Sequence, residues 1–334
     1  MSETRLPAGR GQSEADLTTS SSESAAFQHV TVLRDAVTEA VVKAAAGRQD
    51  ALIVDCTLGG GGHSEAILNA LPHARVIGLD RDLSAIAAAT TRLTPFGDRF
   101  RAVHTPFGQV AKVLRDLQVH DVTAIIADLG VSSHQFDTAE RGFSLRHEGP
   151  LDMRMDTSTG LTLAQRLEAV TLEDLADVLY EYGDIRRSIG TARIVLQSVQ
   201  EGADTTAKLA QRLAARLPRD RNVHPATLVF QALRIWVNGE LDELEALLRD
   251  APGLLQDGGV LAVISFHSGE DRLVKQMMRA QAPKKYGEFM RGKPRAAEDE
   301  EVRDNPRARS ARLRALWRRG ADAAMDVEDE DENS

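Results

Sequence analysis

Four consecutive glycines, at 59–62, are the part of this chain whose residue type and position most clearly indicate chemistry. They follow an apolar segment at 51–54 that is typical of a buried strand, and a helical pattern begins just after them at Ser64. This order of strand, glycine turn and helix lets a ligand lie against bare backbone N–H groups at a helix start. The next strand ends in Asp80, 21 residues after Gly59. Because an acid at about that distance can accept hydrogen bonds from ribose hydroxyls, the sequence predicts a nucleotide-type cofactor site.

The glycine turn by itself leaves two cofactor classes open, a dinucleotide such as NAD and S-adenosylmethionine. The dinucleotide fingerprint needs a glycine three residues beyond the closely spaced pair, and Glu65 occupies that place here. An adenosyl ligand without a pyrophosphate needs only a close approach of its ribose and amino acid to the backbone. The spacing therefore favours S-adenosylmethionine, with an NAD-dependent oxidoreductase as the alternative.

Three side chains stand where predicted strands end, which is the edge at which parallel α/β sheets bind ligands. Phe107 follows the third strand and could stack on an adenine, or it could be a core residue under a loop. Asp128 ends the fourth strand, where it would face a substrate or cap the following turn. His267 ends a later strand and is a general base, a phosphate contact or a structural histidine. The polar and glycine-rich stretch 128–156 is typical of a functional loop.

The elements that must position these residues alternate between strand and helix in the first part of the chain. Strand patterns lie at 51–54, 75–80, 99–104 and 123–128. Helical patterns separate them, which predicts a parallel sheet with helices on both faces. Only helical periods follow from about 139 to 221, with Thr171 as the predicted N-cap of one helix. We interpret this stretch as a helical insertion.

The α/β pattern resumes after the insertion. Pro225 predicts the start of a helix that runs to about Arg249. The apolar run 260–266 then predicts a buried strand, and a helix follows from about Glu270. The segment 312–318 is predicted as an edge strand near the end of the chain.

Composition and charge limit the class of protein. The 334 residues suggest about two domains, and 42% apolar and 27% charged residues are ordinary for a globular protein. Cys56 is the single cysteine, which excludes an intrachain disulfide and any multi-cysteine metal site and fits a cytoplasmic protein. The net charge is -9, but seven arginines fall between 303 and 319, before seven acids between 322 and 332. This basic segment indicates phosphate contacts, or else a merely solvated surface. No stretch approaches the roughly 20 apolar residues of a membrane span.

Beyond these local patterns, an ordered set of blocks resembles one family, the bacterial 16S ribosomal RNA cytosine-N(4) methyltransferases known as MraW. The blocks lie at 29–33, 59–64, 128–133, 137–144, 149–156, 224–227, 230–238, 266–268 and 305–310. Together they span about residues 29 to 316. Two departures are Gly269, where the family usually has leucine, and the stretch 182–187, which diverges after Gly183.

The resemblance implies methyl transfer from S-adenosylmethionine to the N4 amine of a cytosine in the decoding centre of the small ribosomal subunit. It also implies a class I S-adenosylmethionine-dependent methyltransferase fold, Rossmann-like with a mainly parallel sheet and an inserted all-helical domain. The family's cofactor contacts map onto Gly61, Gly62, His63, Asp80, Phe107, Asp128 and Gln135. We expect substrate contacts from Arg141, Arg154, Asn238, Arg307 and Arg309. Asp128 is the expected proton acceptor for the amine, with His267 or Ser132 as the alternative.

These expectations divide the chain into five parts. They are a disordered extension at 1–26, the methyltransferase domain at 27–138, a helical insertion for substrate recognition at 139–221, the rest of the methyltransferase domain with its basic segment at 222–319, and an acidic disordered tail at 320–334. The expected partner is 16S ribosomal RNA within the small subunit, with no metal and no membrane, and a homodimer is left open.

Two further alternatives come from other functional classes. One is a non-catalytic RNA-binding assembly factor that keeps the cofactor pocket. The other is a DNA cytosine-amine methyltransferase. Those enzymes usually carry a Pro-Pro-Tyr-like sequence after the fourth-strand acid, whereas this chain has Leu129, Gly130 and Val131.

Overall fold

The computed structural model describes residues 31–145, 147–218, 224–282 and 288–320. The predicted disordered extension at 1–26 lies outside these residues, as does the predicted acidic tail from 321 onward. The first two residues of the family block at 29–33 also lie outside them. Within the described ranges, no helix is long and apolar enough to cross a membrane.

Eight strands of the described chain form one sheet. They are β1 (Leu52–Asp55), β2 (Arg75–Asp80), β3 (Phe100–His104), β4 (Val122–Asp128), β5 (Leu255–Ser265), β6 (Phe289–Arg291), β7 (Arg295–Ala296) and β8 (Arg312–Arg318). The order is β3-β2-β1-β4-β5-β8-β6, and β7 also pairs with β8. The first five strands are parallel to one another, and β8 is antiparallel to its neighbours. The predicted α/β fold with a mainly parallel sheet is confirmed. The prediction of an edge strand at 312–318 is wrong, because β8 has partners on both sides.

The helices of the described residues either cover the sheet or pack on one another. They are α1 (Arg34–Ala44), α2 (Gly62–Ala70), α3 (Leu83–Leu93), α4 (Val110–Asp116), α5 (Ser133–Asp137), α6 (Leu163–Ala169), α7 (Leu172–Gly183), α8 (Ser188–Gln200), α9 (Thr206–Arg216), α10 (Thr227–Asn238), α11 (Glu240–Asp250), α12 (Ser268–Gln281) and α13 (Asp299–Asp304). Adjacent residues of a strand point to opposite faces, which builds one core on each side of the sheet. Ile53 packs with residues of α1, α2 and α3, whereas Val54 packs with residues of α4, α11 and α12. Burial on both faces explains why these strands are continuous apolar runs.

A third core belongs to the helical part of the molecule and joins buried side chains of α6 to α10. Thr171 caps α7 by accepting the N–H of Asp174 at 3.1 Å, as its position predicts. Phe230 and Leu233 of α10 belong to the same core. Because α10 lies beyond the predicted insertion at 139–221, this core contains one helix more than the stretch predicted as an insertion.

A glycine marks the passage from the helical unit back to the sheet. The prediction of one helix from Pro225 to about Arg249 is wrong, because Gly239 separates α10 from α11 with a left-handed φ of 61°. Glycine adopts this conformation without a Cβ clash and commonly ends a helix. Across the turn, Arg234 donates two hydrogen bonds to the carboxylate of Glu240, both at 2.8 Å.

Candidate active site

The glycine turn connects β1 to α2 at the edge where the parallel strands end. Gly61 is the N-cap of α2 with a left-handed φ of 81°, and a Cβ there would lie 3.2 Å from Leu93 and 3.3 Å from Ala89. A Cβ on Gly62 would overlap with the Thr31 hydroxyl. Close packing therefore requires glycine at both positions, whether or not a ligand is bound. The turn places a helix start in the crevice, and the contact of both glycines with a cofactor stays a prediction.

The Asp80 carboxylate is fixed at the end of β2 by two backbone groups. Its Oδ2 accepts the N–H of Gly59 and its Oδ1 accepts the N–H of Asp82, both at 2.8 Å. Burial raises the pKa of Asp80 to about 6, against the two hydrogen bonds, which favour the carboxylate. Each oxygen keeps acceptor capacity, so the group can accept both hydroxyls of a ribose. These features fit an adenosyl cofactor.

Asp128 ends β4 in the same crevice. Its N–H donates to Oγ1 of Thr57 at 2.6 Å, which ties the end of β4 to the loop after β1. The side chain is 26% exposed, yet Oδ1 is buried and no described residue donates a hydrogen bond to it. Buried polar atoms in native proteins are nearly always paired. A partly exposed carboxylate with an unpaired oxygen at this place fits the predicted proton acceptor.

His63 lies beside Asp128 in the first turn of α2. Its Nε2 is 3.6 Å from Oδ2 of Asp128, and the residue is 5% exposed. Burial opposes a charge on the imidazole, but the carboxylates of Asp128 and Asp55 outweigh burial and raise the pKa of His63. Asp55, buried at the end of β1, accepts a hydrogen bond from the Ser64 hydroxyl at 2.7 Å, and burial raises its pKa. The contact of His63 with a cofactor stays a prediction.

Phe107 lies in a short 3₁₀ segment, Phe107–Gln109, that follows β3 at the crevice. The ring is half-buried against the core between the sheet and α11. Gly108 donates its N–H to Oε2 of Glu243 in α11 at 2.7 Å, which anchors the segment. A half-buried ring at this edge agrees with adenine stacking and with a core role, so the stacking stays a prediction.

A buried polar cluster that the sequence does not reveal centres on Asp82, the N-cap of α3. Its Oδ1 accepts the N–H of Ser84 at 3.0 Å, and its Oδ2 accepts from Nε2 of Gln135 at 2.8 Å and from Nη1 of Arg141 at 2.7 Å. Burial opposes ionisation, but these hydrogen bonds outweigh burial and lower the pKa of Asp82. Its position before a helical pattern predicts only a cap, because its other partners lie 53 and 59 residues away along the chain.

Gln135 and Ser132, which were expected to serve the cofactor and the reaction, are engaged with each other. The N–H of Ser132 donates to Oε1 of Gln135 at 3.0 Å, and the Ser132 hydroxyl accepts the N–H of Gln135 at 3.3 Å. The other end of the Gln135 amide donates to Asp82. These bonds shape the loop after β4. They favour a structural role for both side chains, and their direct contacts with a ligand stay predictions.

Arg141 and Asn238, both expected to bind substrate, are turned into the protein. Nη2 of Arg141 donates to the carbonyls of Arg154 at 3.1 Å and Met155 at 2.7 Å. Oδ1 of Asn238 accepts the N–H of Met155 at 2.8 Å. Arg154 itself pairs with Asp152 at 2.7 Å and is 19% exposed. The placement of Arg141 and Asn238 favours a structural role, because both hold the loop before α6, and contacts of Arg141, Arg154 and Asn238 with RNA stay predictions.

His267, an alternative proton acceptor, caps α12. Its Nδ1 accepts the N–H of Glu270 at 3.4 Å, and its Nε2 lies 3.1 Å from Oε1 of Glu270. Glu270 in turn accepts the N–H of Phe266 at 2.8 Å, and the two residues form a reciprocal capping box. Burial opposes ionisation of Glu270, but His267 helps to lower its pKa. The placement favours a structural histidine over a general base.

The basic C-terminal segment reaches the same side of the molecule. Arg307 lies in the 3₁₀ segment Pro306–Ser310, with its guanidinium 5.2 Å from the centre of the Phe136 ring and Nη2 3.7 Å from Asp137. Both partners belong to α5, which follows the loop after Asp128. Arg309 is exposed on the same segment. Two expected RNA contacts are thus brought to the surface near the crevice, and their binding to RNA stays a prediction.

Comparison with known proteins gives matches along most of the chain. The sequence model of the MraW methylase family matches residues 26–319 of this chain. The Ribosomal RNA small subunit methyltransferase H of Sorangium cellulosum is 48% identical over 301 residues, which cover 89% of this chain and 93% of the relative. The protein of the same name from Magnetococcus marinus is 45% identical over 309 residues, which cover 86% of this chain and 97% of the relative. The protein of the same name from a Picosynechococcus species is 46% identical over 293 residues, which cover 87% of this chain and 96% of the relative.

Proposed function

The chain belongs to the MraW methylase family and is a methyltransferase, and we propose that it methylates the N4 amine of a cytosine in the decoding centre of 16S ribosomal RNA. The name of the relatives, Ribosomal RNA small subunit methyltransferase H, supports the RNA substrate. Membership in a methylase family favours S-adenosylmethionine over NAD, the alternative that the glycine turn leaves open. The name of the relatives also favours RNA methylation over the reaction of a DNA methyltransferase.

The crevice residues would hold the methyl donor by its ribose, its adenine ring and its amino acid end. S-adenosylmethionine, when bound, supplies an electrophilic methyl group on a sulfonium that leaves without acid catalysis. Asp80 would accept the ribose hydroxyls, Phe107 would stack on the adenine, and the turn at Gly61 would receive the amino acid end. The protein's main contribution is then to hold the acceptor amine in line with that methyl group.

The partly exposed carboxylate of Asp128, with no donor to its Oδ1 among the described residues, is the observation that carries the proposal. The lone pair of a cytosine amine is delocalised into the ring, so the nitrogen is a poor nucleophile. A carboxylate that accepts one amine hydrogen orients the nitrogen and takes up its developing positive charge. As the nitrogen–carbon bond forms and the carbon–sulfur bond breaks, one N–H bond breaks and the Asp128 carboxylate takes up the proton. The products are a neutral methylated amine, a thioether and a carboxylic acid.

The target base must leave its stack to reach the crevice, as enzymes that modify bases require. Arg307 and Arg309, on the surface near α5, are suited to hold the RNA backbone beside it. The exposed side of the helical unit would extend that contact.

Mass spectrometry of small-subunit RNA from cells with and without the gene tests the product. We expect N4-methylcytidine that is absent without the gene, returns with the wild-type protein and does not return with Asp128→Asn. Asp121→Asn is the matched control, because Asp121 is exposed before the start of β4. An equal content of this nucleoside with and without the gene would contradict the proposal.

Purified protein tests the role of Asp128 separately from binding. Asp128→Asn should lower the transfer rate at saturating donor by about a hundredfold or more, with the affinity for S-adenosylhomocysteine measured by calorimetry. Unchanged turnover at saturating donor would remove Asp128 from the chemistry. Wild-type protein that binds RNA and S-adenosylhomocysteine but transfers no methyl group would instead support a non-catalytic assembly factor.

A further inference from the structure

A buried histidine faces the open carboxylate of the site. The two ring nitrogens of His63 are buried and have no hydrogen-bond partner among residues 31–145, 147–218, 224–282 and 288–320. Its Nε2 lies 3.6 Å from Oδ2 of Asp128, and Oδ1 of the same carboxylate is also buried and unpaired among the described residues. Unpaired buried polar atoms are costly. Two of them side by side at the floor of a crevice therefore point to a functional arrangement.

The charges around His63 favour a proton on the nitrogen that faces Asp128. Asp128 approaches from β4 and Asp55 from β1, and Arg34 of α1 is the cation that acts on the ring in the opposite sense. The helix start at α2 also disfavours a positive ring. The two carboxylates outweigh these effects and burial, and the pKa of His63 is raised. A ring with Nε2–H directed at a carboxylate is the arrangement that such surroundings select.

We propose that His63 is the positioning residue for Asp128: its Nε2–H faces Oδ2 of the carboxylate at 3.6 Å and sets the direction in which the carboxylate points toward the acceptor amine. The inference rests on the proposed function, because it assigns the support of the group that takes the proton. It also completes the anchoring of Asp128, whose backbone N–H already donates to Thr57 at 2.6 Å. The backbone contact and the facing imidazole together limit the orientations that the carboxylate can take.

The support has a geometric consequence. A donor that faces Oδ2 limits rotation of the carboxylate, so the group is already oriented when the acceptor amine arrives. The competing role for His63 is a contact with the amino acid end of the methyl donor, which would affect donor binding and not the transfer step.

Two variants of His63 separate these roles. His63→Gln keeps an N–H donor near the position of Nε2, whereas His63→Leu removes it at similar volume. The matched control is His73→Gln, because His73 is exposed between α2 and β2. The measurements are the single-turnover methylation rate of small subunits at saturating donor and the Kd for S-adenosylhomocysteine by calorimetry.

We expect His63→Leu to lower the saturated rate about ten- to hundredfold, the effect of one hydrogen bond to a charged group, with the Kd changed less than about threefold. His63→Gln should retain most of the rate even if the leucine variant folds poorly. A Kd raised more than about tenfold with an unchanged saturated rate would overturn the proposal in favour of a donor contact.

A second measurement does not depend on methylation. In protein labelled with nitrogen-15 at histidine, the His63 ring signals are identified by their absence from His63→Gln. We expect shifts that show a proton on Nε2 and that move in Asp128→Asn. Ring signals unaffected by Asp128→Asn would overturn the pairing. If wild-type protein methylates no RNA, the proposed function fails, while these spectra still decide whether His63 holds Asp128.

Discussion

Replacing Arg141 with methionine is expected to lower the free energy of unfolding by about 3 kcal/mol. The guanidinium lies 2.7 Å from the carboxylate of Asp82, and the two side chains are only 11% and 6% exposed. Removing one partner of a buried ion pair costs about 3–5 kcal/mol when the other charge is left alone. Asp82 would not be left alone, because Ser84 and Gln135 still donate to it. We therefore expect the lower end of that range.

Two further variants separate charge from geometry. Arg141→Lys keeps the positive charge but cannot also reach the carbonyls of Arg154 and Met155, so we expect a loss of about 1–2 kcal/mol. Arg249→Met is the matched control, because the ion pair of Arg249 with Asp250 lies at the surface and such pairs contribute little. Its unfolding midpoint should not change.

Urea unfolding, followed by tryptophan fluorescence and by far-ultraviolet circular dichroism, measures these differences, and coincident transitions justify a two-state treatment.

The pH dependence of the unfolding free energy tests whether the ion pair of Asp82 with Arg141 causes the difference. Burial opposes ionisation of Asp82, but its hydrogen bonds lower its pKa. The contribution of Asp82 to the free energy of unfolding is thus fully present above its ordinary pKa of about 4. It is lost as the pH falls through the lowered pKa of the folded protein. The difference between wild type and Arg141→Met should shrink in that acidic range. A loss below about 1 kcal/mol at neutral pH, or one that acid does not reduce, would refute the reasoning.

Three other predictions concern the cofactor, the packing and the RNA. The affinity for S-adenosylhomocysteine should fall by at most about tenfold per pH unit as the pH drops below the Asp80 pKa of about 6, because the ionised carboxylate is the better acceptor for ribose hydroxyls; calorimetry should show no such fall for Asp80→Asn, and a flat wild-type profile would contradict this role. Gly149→Ala should destabilise the protein by about 3 kcal/mol, because the new Cβ would overlap with the carbonyl oxygen of Ala139; an unchanged thermal midpoint would contradict the packing. Charge reversal of Arg307 and Arg309 should weaken RNA binding and reduce its salt slope by about 1 per lost phosphate contact, and an unchanged slope would exclude this segment from the interface.

The sequence predicts the sheet and the residues at the ends of its strands well because their signals are local. An apolar run followed by the turn at 59–62 predicts β1 and α2 within two residues of their observed limits. Asp80 and Asp128 are each the last residue of such a run, and the parallel order brings their side chains to one edge without knowledge of any long-range contact.

Predictions that depend on distant partners are less successful. The pattern at 312–318 predicts a strand but not its place in the sheet, because pairing with β5 on one side and with β6 and β7 on the other is a property of the tertiary structure. Arg141 is similar: an arginine in a polar loop suggests a substrate contact, and only the fold shows that Asp82, 59 residues earlier, pairs with it. Gly239 stands within a long helical period, and its left-handed conformation ends α10 there.

Four aspartates at strand ends and the adjoining loops show how one residue type acquires different roles in this crevice. Asp82 accepts hydrogen bonds from the backbone and hydroxyl of Ser84, from Gln135 and from Arg141, which suits it to hold loops together. Asp55 is buried under the Ser64 hydroxyl, and Asp80 is bound by two backbone N–H groups that leave acceptor capacity for a ligand. Asp128 alone of the four keeps a buried oxygen without a donor among the described residues. The environment of each carboxylate, not its residue type or its distance from the glycine turn, therefore decides which one is free to accept a proton from a substrate.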